Sequence, residues 1–107
     1  MSRLPALLEH LARKPDDRFA LYSVALEHRR EGDIKAAEAA FRTLLDMHPH
    51  SGAGHFQLGC LYRDEERFSE AREAWKAGLR ALADATDAEA RRSVGEIQRA
   101  LAEIDDD

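Results

Sequence analysis

"HFQLGCLYRDEERFSEAREAW", residues 55–75, decides the fold, because a second version of it stands 34 residues earlier as "LYSVALEHRREGDIKAAEAAF", residues 21–41. At that offset Val24 lies over Leu58, Ala25 over Gly59, Arg29 over Arg63, Ile34 over Phe68, Ala37 over Ala71 and Phe41 over Trp75. The pairs match in size class more than in identity. Leu45 with Leu79 and Pro15 with Pro49 extend the register in both directions. Self-similarity at such a period marks one supersecondary unit used more than once. Inside each copy the apolar residues recur at spacings of three and four, the helical period. No Val/Ile/Thr-rich alternating run suggests a strand. Each copy therefore reads as a helical hairpin. Ala25/Gly59 and Ala37/Ala71 let two helices approach closely, and Phe41/Trp75 are expected to fill the space between one hairpin and the next.

Working outward, the punctuation agrees with that frame. Leu4, Leu7, Leu8 and Leu11 share a helix face, and Pro5 suits an early helical turn. Pro15 stops this helix, since the residue before proline avoids helical geometry. Asp16 and Asp17 can cap the next helix. Gly32-Asp33 ends that helix, glycine being free to adopt the left-handed conformation. Pro49 follows a third helix, and Ser51 can cap a fourth. Phe68 to Leu82 supply a fifth. "TDAE" reads as a capping box, Thr86 with Glu89, before a sixth that presents Ala90, Val94, Ile97, Leu101 and Ile104. Pairs such as Arg92–Glu96 and Arg99–Glu103 stand four apart on its outer side. The closing "DDD", 105–107, opposes the helix dipole and is expected to fray.

These residues resemble the tetratricopeptide repeat (TPR) family. "HFQLGCLY" followed by "AREAW" is similar to the family's succession of aromatic, leucine-glycine, tyrosine, alanine and aromatic, and "LYSVALEH", "AAEAAF" and Pro49 follow the same order. The resemblance covers nearly the whole chain: a preceding half-repeat helix at 3–15, repeats at 18–51 and 52–85, and a capping helix at 86–105. It implies an all-α fold of about six helices, antiparallel hairpins stacked as a short right-handed solenoid, in one domain spanning 1–107. Departures fall at His28, which stands where Tyr62 supplies the usual tyrosine, and at Glu66, which replaces the turn glycine, so the second hairpin is expected to turn differently. Gly78 replaces an alanine and Ala83 the closing proline.

The resemblance also implies a partner-binding concave face. It would carry Phe19, Tyr22, Leu26, Arg29 and Arg30 in the first repeat, and Ala53, Phe56, Cys60, Arg63 and Asp64 in the second. Aromatics flanked by arginines suit a protein or peptide bearing an acidic group, because guanidinium grips carboxylate bidentately. The family's subclass that clamps C-terminal carboxylates uses lysine and asparagine where Tyr22, Leu26, Phe56 and Cys60 stand here, so that subclass is not expected.

Bulk properties narrow the rest. With 44% hydrophobic and 35% charged residues the composition is that of an ordinary globular domain. A net charge of −5 argues against nucleic acid, which needs a basic surface. The chain has no membrane-length apolar run and no signal-peptide pattern at its start, and its single cysteine suits a reducing compartment, so a cytoplasmic protein is expected. No nucleophile elbow, phosphate-binding loop, zincin motif or dinucleotide turn occurs, and Cys60 reads as a small apolar filler, so neither catalysis nor a cofactor is expected. The stretch "DMHPHSGAGH", 46–55, offers Asp46, His48, His50 and His55 as metal ligands. They spread over a helix end, a turn and the next helix, which leaves the three histidines weak candidates and no metal site expected. His50 is read as a rim contact. The stripe Val94, Ile97, Leu101 and Ile104 either covers the end of the second repeat or forms the seam of a homodimer.

Overall fold

The computed structural model describes residues 1–105. Among them are six α-helices and no strand: α1 (Leu4–Arg13), α2 (Arg18–Arg30), α3 (Ile34–Met47), α4 (Gly52–Asp64), α5 (Phe68–Ala81) and α6 (Ala88–Asp105). The all-α, helical-hairpin expectation holds. Asp106 and Asp107, two of the three acids expected to fray, lie outside the described residues. The chain divides into two compact units, Met1–Pro49 and His50–Asp107. α2 packs with α3 and with α1 in the first, and α4, α5 and α6 pack mutually in the second.

The first unit is built around the α2–α3 hairpin. Asp17 Oδ1 accepts the Ala20 N–H at 3.1 Å and Asp33 Oδ1 the Ala36 N–H at 3.2 Å, so both helices begin at aspartate caps. Phe41 and Leu44 of α3 are fully buried with Ala25 and Ala37, and Tyr22 meets Phe41 edge-on with ring centroids 6.4 Å apart. α1 contributes no fully buried residue; Leu4, Leu7 and Leu11 are half-buried, and polar bonds hold both of its ends. At its start the Arg3 N–H donates to Glu27 Oε2 at 3.1 Å. Near its end His10 Nε2 lies 2.8 Å from Asp17 Oδ2. That hydrogen bond, together with the capped Ala20 N–H, holds the Asp17 carboxyl below its usual range.

Glu27 is buried at 6% exposure, where an ionised carboxylate needs several partners. Arg30 supplies two, Nε and Nη2, each at 3.0 Å, and Arg3 the third. These donors bring its pKa from 4.5 to about 2. A carboxylate whose folded pKa is depressed contributes stability that is present above its unfolded value and is lost as pH falls toward the folded one. The urea midpoint should therefore hold down to pH 4.5 and drop between there and about 2. Glu27→Gln should flatten that decline, and an unchanged acid profile in this variant would show that Glu27 is not the group responsible.

The two hairpin turns are alike. Gly32 has φ 82°, its N–H donates to the Arg29 carbonyl at 3.0 Å, and the Asp33 N–H reaches the His28 carbonyl at 2.9 Å. In the second copy Glu66 takes φ 60°, its N–H donates to the Arg63 carbonyl at 2.9 Å, and the Arg67 N–H reaches the Tyr62 carbonyl at 2.8 Å. Glu66 thus does not redirect the turn as expected. It adopts glycine's conformation at a cost of about 1–2 kcal/mol. The Arg67 bonds to Glu70, at 2.8 and 2.6 Å, and the stacking of its guanidinium 4.6 Å from the Tyr62 ring centre secure the chain just beyond.

In the second unit Trp75 is fully buried and lies against Gly59, so closely that a β-carbon there would collide with the indole. Its Nε1 donates to the Phe56 carbonyl at 3.0 Å. Trp75 and Phe41 thus each pack against the partner helix of their own hairpin. His55 is buried against Gly78, whose added β-carbon would stand 2.7 Å from His55 Cβ and 3.0 Å from Ile97 Cδ1. The departure from alanine at 78 therefore accommodates the imidazole at 55.

α6 differs in two respects from its expected form. Its cap is Asp87, whose Oδ2 accepts the Ala90 N–H at 3.2 Å, and not Thr86. The cap has moved one residue because the Asp87 carboxylate occupies the position three before a free N–H. Its buried stripe is Ala90, Ser93, Ile97, Ala100 and Ile104, with Val94 and Leu101 only half-buried. Small residues face inward so that the helix can lie close: Ser93 packs onto Gly52 of α4 with no room for a β-carbon between them.

Candidate partner-binding site

The expected contact residues of α2 form one stripe, since 19, 22, 26 and 29 recur at three and four. Phe19 is 74% exposed with the Arg18 guanidinium 5.3 Å from its ring centre. Tyr22, Leu26 and Arg29 are half-buried. Tyr22 is tied to the core through Phe41, and Arg30 is committed to Glu27. Of this set Phe19 offers the most surface.

In the second unit the same stripe on α4 is Ala53, Phe56, Cys60 and Arg63. Cys60 is buried at 5% exposure and is withdrawn from the contact set; it packs as the small filler its size suggests. Ala53 is half-buried, and the exposed Asp64 accepts from Arg63 Nε at 3.2 Å. Phe56 and Arg63 line a cleft of about 220 Å³ whose other wall is α6, through Glu96, Arg99, Ala100 and Glu103. The Arg63 guanidinium also sits 5.9 Å from the Trp75 ring centre, which keeps it near the cleft wall. Arg99 makes no ion pair among the described residues. The expected Arg99–Glu103 and Arg92–Glu96 pairs do not close among the described residues, whereas Arg13–Glu9 at 3.5 Å and Arg42–Glu38 at 3.3 Å do.

Sequence reasoning missed the α6 wall by reading 96, 99 and 103 as a solvated face. The signal was the small-residue phase of the helix. Once Ser93 and Ala100 are turned inward, 96, 99 and 103 flank the buried stripe on one side and 91, 94, 95 and 98 on the other. This phase turns two residues of the alternative dimer seam inward. Ile97 is fully buried and Ile104 is 7% exposed, so neither is presented outward, and only Val94 and Leu101 keep accessible surface.

The histidines of 46–55 do not converge. His48 Nε2 donates to the Asp16 carbonyl at 2.6 Å, tying the end of α3 to the α1–α2 turn. His50 is exposed, and His55 is inside the second unit. Among the described residues no three of His, Cys, Asp and Glu are grouped to hold a metal ion. No helix is long and apolar enough to cross a membrane. The chain matches no protein-family model and no curated protein.

Proposed function

We propose that this chain is a cytoplasmic, non-catalytic module of TPR type that binds a protein or peptide partner, with the α4–α6 cleft as the seat of the contact. The observation that carries the proposal is the convergence of Phe56 and Arg63, both expected on the partner-binding face from the TPR resemblance, on one cleft opposite Arg99, which makes no ion pair among the described residues. Arg99 suits a single carboxylate, and Phe56 an apolar side chain beside it. Glu96 and Glu103 flank the arginine and repel a densely acidic partner, which narrows the fit to an extended segment with one acid next to an apolar residue.

The test is differential capture by the immobilised chain from its source lysate. Phe56→Ala and Arg99→Glu should each weaken capture about tenfold or more, with helicity by circular dichroism unchanged. Tyr22 is unsuitable for this purpose because its ring supports Phe41. Equal capture by the wild type and both variants would overturn the proposal.

A further inference from the structure

On its other flank α6 forms a second cleft, with the end of α5 and the turn after it. It encloses about 420 Å³ and is lined by Leu79, Leu82 and Ala85 together with Arg91, Val94, Gly95 and Gln98 of α6. Gly95 sits mid-helix, where glycine is a poor choice. Gly52, Gly59 and Gly78 are each demanded by a neighbouring side chain, but a β-carbon at Gly95 would meet nothing within 4 Å. The gap at 95 therefore answers no packing need within the chain. Arg91, one turn away at the rim, makes no ion pair among the described residues. Positions 91, 94, 95 and 98 make a continuous stripe with a hole at its centre and a cation at one end.

The chain carries a stripe of matching period. On α1, Pro5, Leu8, Glu9 and Ala12 are all exposed and stand at i, i+3, i+4 and i+7. Leu8 is 50% exposed, the one large apolar side chain of that face. Glu9 is its one acid, 74% exposed, with a loose 3.5 Å bond to Arg13 in solvent. Ala12 and Pro5 leave the helix backbone approachable on both sides of Leu8.

We propose that a second copy of this chain is the occupant: α1 of one molecule seats in the α5–α6 cleft of another, with Leu8 entering over Gly95 and Glu9 pairing with Arg91. Small residues on both stripes permit the close approach, and the single acid facing the single cation sets the direction in which the helix lies. The contact does not depend on the α4–α6 cleft, so a partner seated there leaves it untouched.

Sedimentation velocity and light scattering on the full chain test this. The mass should rise above that of the 12.0 kDa monomer with concentration. Gly95→Leu fills the cleft from within while favouring the helix, and should weaken association about tenfold or more. Arg91→Glu should weaken it comparably, and adding Glu9→Arg to that variant should restore it. The charge exchange keeps the test valid even if Gly95→Leu perturbs α6. A monomer at every concentration overturns the proposal, as does association indifferent to both single changes. Capture of a different protein that depends on Gly95 and Arg91, without self-association, also overturns it.

Discussion

Trp75→Ala should destabilise the second unit by about 3–5 kcal/mol, the range for emptying a fully buried aromatic site. The ring has no exposed surface, lies between α4 and α5, and gives its N–H to the Phe56 carbonyl. Removing it opens a cavity against Gly59, which has no side chain with which to fill it. The loss also reaches the candidate site, because Arg63 stands over the indole face and Phe56 supplies the carbonyl that the indole holds. Trp75→Phe separates the contributions: it retains most of the bulk and gives up the hydrogen bond, worth about 1 kcal/mol. Urea unfolding followed by circular dichroism measures both variants. A loss under about 1 kcal/mol for Trp75→Ala would mean that the hairpin does not depend on this ring.

Much of the architecture is legible in the sequence because the decisive residues act locally. Asp17, Asp33 and Ser51 cap α2, α3 and α4 through bonds to N–H groups three residues on, at 3.1 to 3.2 Å. Proline and glycine set the stops. The 34-residue register then places equivalent turns at Gly32 and Glu66 even though only one of them has the preferred residue. What the register could not convey is strain: Glu66 occupies the left-handed conformation because the flanking helices and the Arg67 bonds fix the turn, a tertiary constraint that outweighs a local preference.

The candidate site was half legible. Phe56 and Arg63 were expected from the TPR resemblance, but Glu96, Arg99 and Glu103 were not, and the reason is the phase of α6. Ranking residues by hydrophobicity turns Val94 and Leu101 inward. Close packing instead turns Ser93 and Ala100 inward, Ser93 because Gly52 of α4 admits nothing larger opposite it. A helix seated against glycine is governed by distance before it is governed by apolar area. Cys60 lay on the expected contact stripe and also read as a small apolar filler, and its burial follows the second of these.

Gly59→Ala should reverse its sign with the residue opposite. In the wild type the new β-carbon would overlap the indole of Trp75, and neither the helix backbone nor a ring locked by its hydrogen bond can move away cheaply. The expected cost is about 3 kcal/mol, at the upper end for overpacking, and it comes despite the better helix propensity of alanine. In a Trp75→Ala background the obstruction is gone. There the same substitution should stabilise by about 1 kcal/mol, the ordinary gain of alanine over glycine inside a helix. The difference between the two backgrounds measures the contact itself, since propensity and unfolded-state effects enter both sides of the cycle equally. Trp75 is the only tryptophan, so its fluorescence should also report displacement of the ring in the single variant. Equal effects of Gly59→Ala in both backgrounds would place the requirement for glycine in the backbone of α4. A reversal would place it in the helix-to-helix distance that Gly59 and Trp75 set together, at the positions that Ala25 and Phe41 hold in the first repeat.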